Sequence, residues 1–454
     1  MLEKNKVYDA EITGLTSEGS GVCRVQEMAV FVPGTAVGDV IRVKIVKVLS
    51  RYAFGIVDEI IMPSPDRCGE RERSCGIHKK CGGCVFRHIS YEAECRAKND
   101  IVRDAFTRIG GLDPEFGEFM GADEPDRYRN KVQMPVAEID GKKVFGFYAP
   151  RSHRVVPVEK CMLQPGLFDD IINFIFHHVQ MEAVSIYDEK TGYGLLRHIY
   201  IRQGHHSGEV MVCFVVTAKK GVGMPNLKNL IRSLCDRFKE IKSVVFNINP
   251  RNTNVILGDE CVTFFGSDTI TDTMCGNEIE ISPLSFYQIN TSQAERLYRK
   301  ALEYADPQPD DVLVDLYCGA GTIGLSMAHR VKRLVGIEIV PSAVENARRN
   351  AARNSISNAE FYCGDAGEIF GSLALSPDII VVDPPRKGCS EETLNNIISS
   401  SPRKIIMISC NPSTAARDAA FLSENGFSAD KVCGADFFPG TRHVECVVLL
   451  TRND

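Results

Sequence analysis

Two short stretches late in the chain carry groups suited to covalent chemistry: Ser409-Cys410-Asn411-Pro412 and Thr441-Arg442-His443-Val444-Glu445. Methyl transfer to oxygen or nitrogen needs no enzyme nucleophile, because those atoms already hold a lone pair. Methyl transfer to C5 of a pyrimidine does. A thiolate adding to C6 makes C5 electron-rich, and a base must then remove the C5 proton so that the thiol can leave. Cys410 is therefore the candidate nucleophile and Glu445 the candidate base, with His443 orienting their loop. A free thiol, with a pKa of about 8.5, is only a few per cent ionised at neutral pH, so the site must lower that value or couple attack to proton donation. Elsewhere a lone cysteine is a small apolar residue, which is the reading for Cys389 and Cys433.

A second group of residues has the pattern of a nucleotide-type cofactor site. Asp315-Leu-Tyr-Cys-Gly-Ala-Gly-Thr322 ends a strand-like run and opens a helix, and its glycines admit close backbone approach to a ligand. It is neither G-x-G-x-x-G nor a phosphate-binding lysine motif. Glu338 ends the next strand about 20 residues on, where doubly wound folds place the carboxylate that holds ribose hydroxyls. Asp365 follows a third run and is placed to face an adenine amino group. NAD and S-adenosylmethionine both fit these residues; Asp383-Pro-Pro-Arg386 at a further strand end favours the methyl donor.

A third group is metallic in character. Cys75, Cys81 and Cys84 are closely spaced, with Cys161 following. In a chain read as cytosolic, such spacing indicates metal ligation, and zinc and an iron–sulfur cluster fit it equally. Cys68 is read as a non-ligand.

The elements that must position these groups follow from patterning. At 454 residues, 44% hydrophobic and 25% charged, the chain has the composition of a globular protein, and its length implies roughly two to four domains. No run of apolar residues is long enough to span a bilayer and no charged, apolar leader opens the chain, so a cytoplasmic location is expected. The other cysteines among the 17 are mostly scattered singly, as at Cys213, Cys235 and Cys363, and read as reduced, buried thiols. Net charge is −6, which argues mildly against a nucleic-acid partner, although the local runs Arg127–Lys131 and Arg151–Arg154 are basic and carry or adjoin aromatics.

Short alternating segments punctuated by glycines predict a small antiparallel β-barrel over residues 1–62. Pro63-Ser-Pro65 reads as a linker. Residues 67–90 are too rich in Cys, Gly and charge to pack a core. A helix is predicted over Tyr91–Ile109, stopped by Gly110-Gly111. Strand-like runs with two interleaved helices, near 167–179 and 225–239, give 63–280 as an α+β substrate domain. From 281 to 454, regular β–α alternation predicts a doubly wound α/β domain with its ligand at the carboxyl ends of the strands.

Taken together, Cys75–Cys84, Ser285-Phe-Tyr-Gln-Ile-Asn290, Asp315–Gly321, Asp383–Arg386, Ser409–Pro412 and His443–Glu445 occur in an order that resembles the RNA 5-methyluridine methyltransferases, specifically the branch with an N-terminal TRAM barrel and an iron–sulfur cluster that acts on 23S ribosomal RNA. The resemblance covers nearly the whole chain. It implies a class I methyltransferase domain using S-adenosylmethionine through Gln288, Tyr317, Glu338 and Asp383, with Cys410 as nucleophile and Glu445 as base. It further implies a [4Fe-4S] cluster on Cys75, Cys81, Cys84 and Cys161, an RNA partner, and packing of the helix near 91–109 onto the catalytic domain. Thr322 departs from the asparagine and Tyr287 from the phenylalanine usual there. Transfer RNA is the alternative substrate. An RNA 5-methylcytidine methyltransferase is disfavoured because Pro384-Pro385 lacks that chemistry's second cysteine. A metal-stapled RNA-binding module without activity is the rival from another class.

Overall fold

The structure, a computed structural model of the chain, describes residues 2–181, 184–219 and 224–453. Its first unit is a six-stranded sheet. Val7–Glu11, Val40–Val48 and Tyr52–Met62 form an antiparallel run, and Met28–Pro33, Ser20–Val25 and Gly14–Leu15 complete it. Alternation explains its core: Cys23 and Val25, Val30 and Val32, and Ile41, Val43 and Ile45 all turn inward. The Pro63-Ser-Pro65 linker is ordered. Asp39 accepts from Ser64 N (2.9 Å) and from Arg67 Nε (2.8 Å) and Nη2 (2.7 Å). Burial opposes the Asp39 carboxylate, but these donors and Arg67 hold it below the usual range.

The central unit is a seven-stranded sheet centred on Lys131–Ile139, Leu196–Gln203 and Val210–Val216. Helices Gly166–Met181 and Met224–Arg237 cover one face; Phe168, Ile171, Ile175, Leu227, Ile231 and Leu234 share a core with the sheet. Val210–Val216 runs parallel to Ile241–Ile248, with the second helix between them in sequence.

The third unit has seven main strands, here β1 Val312–Leu316, β2 Arg333–Glu338, β3 Ala359–Cys363, β4 Ile379–Val382, β5 Lys404–Ser409, β6 Phe427–Ala435 and β7 Glu445–Arg452. Their spatial order is β3-β2-β1-β4-β5-β7-β6, and Glu115–Phe116 adds an edge strand beside β6. β1 to β5 are parallel, while β7 lies antiparallel between β5 and β6. Helices cover both faces, which is why these strands read as continuous apolar runs. Leu313, Leu334, Val381 and Ile406 belong to the core on one face, and Val314, Val335, Ile380 and Ile405 to that on the other. The hairpin Ile270–Met274/Asn277–Ile281 packs into the first of these cores, so that core extends back across residue 281. Among the described residues no helix is long and apolar enough to cross a membrane. Cys213 and Cys235 are buried, but Cys363 is exposed, since it stands at the open end of β3.

The helix expected over Tyr91–Ile109 is α-helical over Tyr91–Asp104, capped by Ser90, and widens to a π-turn over Ala105–Ile109. Val102, Ala105 and Phe106 sit in the core of the third unit, with Val314 and Ile405. The same helix carries a buried ionic cluster. Lys98 Nζ donates to Glu94 Oε1 (2.8 Å), Asp436 Oδ1 (2.7 Å) and Phe438 O (3.2 Å). Glu94 also accepts from Arg71 Nη2 (2.6 Å) and Gly440 N (2.5 Å). All three central side chains, Lys98, Glu94 and Asp436, are fully buried. Burial disfavours the Lys98 ammonium, but the two carboxylates raise its pKa overall. Lys98→Met should leave Asp436 buried without its cation while Glu94 keeps Arg71, costing about 3–5 kcal/mol. The expected result is a lowered thermal midpoint; an unchanged midpoint by calorimetry would show that the cluster does not hold the loop.

Candidate active site

Loops at the carboxyl ends of β1 to β5 converge on a pocket of about 890 Å³. Its lining brings together all six residues expected there: Gln288, Tyr317, Glu338, Asp383, Cys410 and Glu445. The local causes differ from residue to residue. The chain leaves β1 through Tyr317 in the left-handed region (φ 65°), then turns at Gly319 and Gly321, also at positive φ. Glycine at 336 is required for close packing, since a Cβ there would lie 2.5 Å from the Phe361 ring and 2.9 Å from Cys318 Sγ. Glu338 is held at the end of β2 by Gly319 N (3.1 Å) and Val340 N (2.8 Å). Asp365 lines the pocket while its Oδ1 caps the following helix through Gly367 N (2.9 Å).

The loop 282–290 closes another wall. Asn290 caps helix Thr291–Ala305, accepting from Gln293 N. Gln288 Nε2 donates to Tyr298 OH (3.3 Å). Tyr287 uses the hydroxyl that phenylalanine lacks to donate to Asp272 Oδ2 (2.8 Å). Leu284 and Phe286 stand exposed at the pocket, as do Ile339 and Val340 across from them, giving an apolar rim suited to flat aromatic ligands.

Cys410 and Glu445 are neighbours because β7 is antiparallel. Ser409, the last residue of β5, pairs with Cys446, so Cys410, just beyond the strand, comes beside Glu445, the first residue of β7, and both line the pocket. Asn411 caps helix Pro412–Ser423 and donates Nδ2 to Arg386 O (3.0 Å), tying the thiol's loop to Asp383-Pro-Pro-Arg386. Arg386 Nη2 reaches His443 Nδ1 at 2.5 Å. Burial raises the Cys410 pKa, Glu445 adds to the rise, and Arg386 opposes it. Glu445, buried, is pushed well up by burial and by Asp383, again opposed by Arg386. Burial pushes Asp383 to about 7. His443 falls to about 4 through burial and the nearby arginines, so it is neutral and accepts from Arg386. Arg386 is the participant that the motif contained and the sequence reading left without a role. Arg129, Phe286 and Phe438 are further lining residues whose wall positions no spacing signals.

The basic run Arg127–Lys131 is mostly not a free surface. Arg127 Nη1 donates to Cys161 O, Gln164 O and Asp169 Oδ2, each at 2.8 Å. Lys131 is pushed down to about 8 by burial, Arg202 and Arg129. Arg151 and Arg154 are exposed.

Cys75, Cys81, Cys84 and Cys161 line one separate cavity of about 240 Å³, with Arg87 and Arg129 in its wall and Cys68 outside. Burial pushes Cys84 up to about 12, with Cys161 adding to the rise. The donors suit a thiophilic metal. Among the described residues, however, no three His, Cys, Asp or Glu side chains group closely enough to hold a single ion. Val85 N (2.8 Å) and Phe86 N (3.1 Å), next to this cavity, donate to Gly440 O in the loop that leads to His443 and Glu445.

Residues 277–453 match the family described as tRNA (Uracil-5-)-methyltransferase, and residues 2–57 match the TRAM domain. An uncharacterized RNA methyltransferase of Clostridium tetani is 40% identical over 453 residues, covering 99% of this chain and 97% of that protein. One of Bacillus cereus is 40% identical over 455 residues, with 99% and 98% covered. The crystal structure of Pyrococcus abyssi tRNA (uracil-54, C5)-methyltransferase in complex with S-adenosyl-L-homocysteine superposes with a TM-score of 0.78 at 25% identity, covering 98% of this chain and all of that one (100%).

The electrostatics of the thiol are directly measurable. Alkylation of Cys410 by iodoacetamide, followed by peptide mass spectrometry, should increase with pH with a midpoint above the free-thiol value of about 8.5. Arg386→Gln should move the midpoint higher still, because the guanidinium favours the thiolate. A midpoint that falls on removing Arg386 would overturn this arrangement.

Proposed function

We propose, from the premise that the chain belongs to the RNA uracil-5-methyltransferase family, that it methylates C5 of a uridine in 23S ribosomal RNA, with Cys410 as nucleophile and Glu445 as base. The observation that carries this reading is the placement of Cys410 and Glu445 on facing ends of β5 and β7, over one pocket with Gln288, Tyr317, Glu338 and Asp383. S-adenosylmethionine supplies the methyl group as an electrophile. Glu338 holds its ribose hydroxyls, and Gln288, Tyr317 and Asp383 position the rest.

The target uridine is splayed from its fold into the pocket. The Cys410 thiolate forms a bond to C6, and the displaced electron pair passes to C5 and O4. C5 takes the methyl group as its bond to the donor sulfur breaks, and S-adenosylhomocysteine is the leaving group. Glu445, entering as the carboxylate, removes the C5 proton; the C6–S bond then breaks and Cys410 leaves. Arg386 favours the charged forms of both groups, and neutral His443 holds Arg386 in place. Desolvation of Glu445 makes it a stronger base than an exposed carboxylate.

Cys410→Ala should abolish methylation and leave cofactor affinity within about twofold. Glu445→Gln keeps shape but loses the basic oxygen, so it should accumulate a methyl-labelled RNA–protein adduct that survives denaturing electrophoresis. An inactive Glu445→Gln enzyme without adduct would assign Glu445 an earlier role. The Pyrococcus structure favours transfer RNA as the second reading. Mapping 5-methyluridine in both RNA classes from a deletion strain decides between them, and loss confined to transfer RNA would reject the ribosomal substrate.

The same reading includes a [4Fe-4S] cluster on Cys75, Cys81, Cys84 and Cys161, in a structural or RNA-positioning role, and a cytoplasmic location. The four thiols around one cavity are the residues that would hold such a cluster. Arg87 and Arg129 offset the negative charge of four thiolates. Protein purified without oxygen should contain about four irons with matching sulfide; stoichiometric zinc without iron would refute the assignment.

A further inference from the structure

A second groove, of about 800 Å³, lies on the central sheet and shares no lining residue with the catalytic pocket. The two stand at opposite ends of strand Lys131–Ile139. Arg129, just before the strand, lines the catalytic pocket, whereas Val136 to Ile139 line the groove. The strand's rise separates them by about 25 Å.

His198 lines this groove. It is 5% exposed, and neither ring nitrogen has a hydrogen-bond partner. Its cross-strand neighbours are Pro135 and Val215, which offer no side-chain donor or acceptor. A buried polar group left unpaired bears its full desolvation cost. Such a group persists where a ligand completes it. Arg197 beside it is also buried, with Nη1 bonded to Asn249 O (2.7 Å) and Arg251 O (2.6 Å), its guanidinium 4.4 Å from the Tyr187 ring centroid, and Nε unpartnered.

The remaining walls are aromatic and mixed in charge. Tyr148 and His153 stack with centroids 5.2 Å apart and planes at 29°. Their polar ends are engaged by Glu189, whose carboxylate accepts from Tyr148 OH (3.4 Å) and His153 Nδ1 (2.7 Å). Arg154 and Lys190 are exposed lining residues. Burial pushes His198 down to about 4, so its imidazole is neutral, with one donor and one acceptor. A neutral hydrogen-bonding edge, flat rings and nearby Glu138 and Asp188 disfavour a free anion and suit a nucleobase. Splayed bases of RNA are read in this way, by stacking and by hydrogen bonds to their edges.

We propose that this groove holds a second unstacked nucleotide of the substrate RNA, its base edge bonded to His198, its ring against the Tyr148–His153 pair and its phosphate near Arg154 and Lys190. The site rests on the reading of the chain as an RNA methyltransferase. It would act as a specificity element, fixing the register of the RNA that enters the catalytic pocket.

The test is equilibrium binding and methylation of full-length 23S ribosomal RNA fragments and transfer RNA transcripts by the complete protein and by His198→Leu. Leucine removes the unpaired nitrogens, so the thermal midpoint should hold or rise and S-adenosylmethionine affinity should not change, while affinity for the methylated RNA falls about tenfold. Arg154→Ser, at the surface, should weaken the same RNA about threefold and serves where the leucine variant fails to fold. Ultraviolet cross-linking should recover peptides containing Tyr148 or Tyr187 attached to RNA. A wild-type protein that methylates no RNA overturns the underlying reading. A wild type that methylates RNA, with variants of unchanged RNA affinity and no cross-link at these tyrosines, overturns the groove alone.

Discussion

The ammonium of Lys98 is the point on which three parts of the chain close. It sits on the helix Tyr91–Asp104, bonds Glu94 on its own helix, and reaches Asp436 and Phe438 more than three hundred residues later. Glu94 takes up Arg71 from the cysteine-bearing segment and the amide of Gly440 from the loop before β7. Arg71 in turn bonds the carbonyls of Phe86 and Ile89. In a dry interior such an arrangement contributes less to net stability than to uniqueness of geometry, because any partner left alone there is heavily penalised. Here it fixes one end of the loop that delivers His443 and Glu445. Further attachments of that loop, from Val85, Phe86 and Tyr128, come from chain near the four-cysteine cavity.

The pocket itself shows two strategies of positioning. Glu338 and Asp365 are held by backbone amides, so their geometry follows from strand ends and helix starts. Cys410, Arg386, His443 and Glu445 depend on long-range contacts: the β5–β7 register, the Asn411–Arg386 link and the Arg386–His443 contact. Arg386 is the only one of these four that favours charge on both the thiol and the carboxylate. It offsets burial only in part, since burial dominates both shifts and leaves the Cys410 thiol and the Glu445 carboxyl raised. The low basicity of His443 follows first from burial and then from the same cation, and suits it to orientation instead of proton removal.

The barrel is joined to the rest by polar attachments and by a small apolar cluster of Leu15 and Ala36 with Phe86, Ile89 and Ala93. Its apolar interior is self-contained, and Asp39 grips the segment that follows through Ser64 and Arg67. Glu18 of the barrel pairs with Arg442, next to His443. Ser17 and Glu18 of the barrel line a small cavity with Arg386, Cys410 and His443, although no barrel residue lines the larger pocket.

Much of this was legible in the linear chain because it is local. Alternating residues declare the barrel, continuous apolar runs declare strands covered on both faces, and glycines after β1 declare a backbone that must approach a ligand. Ser90, Asn290 and Asn411 each cap the helix they precede, as side-chain chemistry dictates. Composition misled where side-chain direction mattered. Arg127 belongs to a basic run, yet its guanidinium turns inward to Cys161 and Asp169, whereas Arg154 stays exposed. Cys363 resembles the buried cysteines in its strand but ends at the open edge. Nothing local announces that His198 is buried without a partner, that Arg386 stands between His443 and Cys410, or that Lys98 lies against Asp436. The sequence determined which groups exist and which secondary structure carries them, because propensity and periodicity act over a few residues. Only the tertiary structure decided that β7 inserts antiparallel beside β5, and that one choice of register set Glu445 across from Cys410.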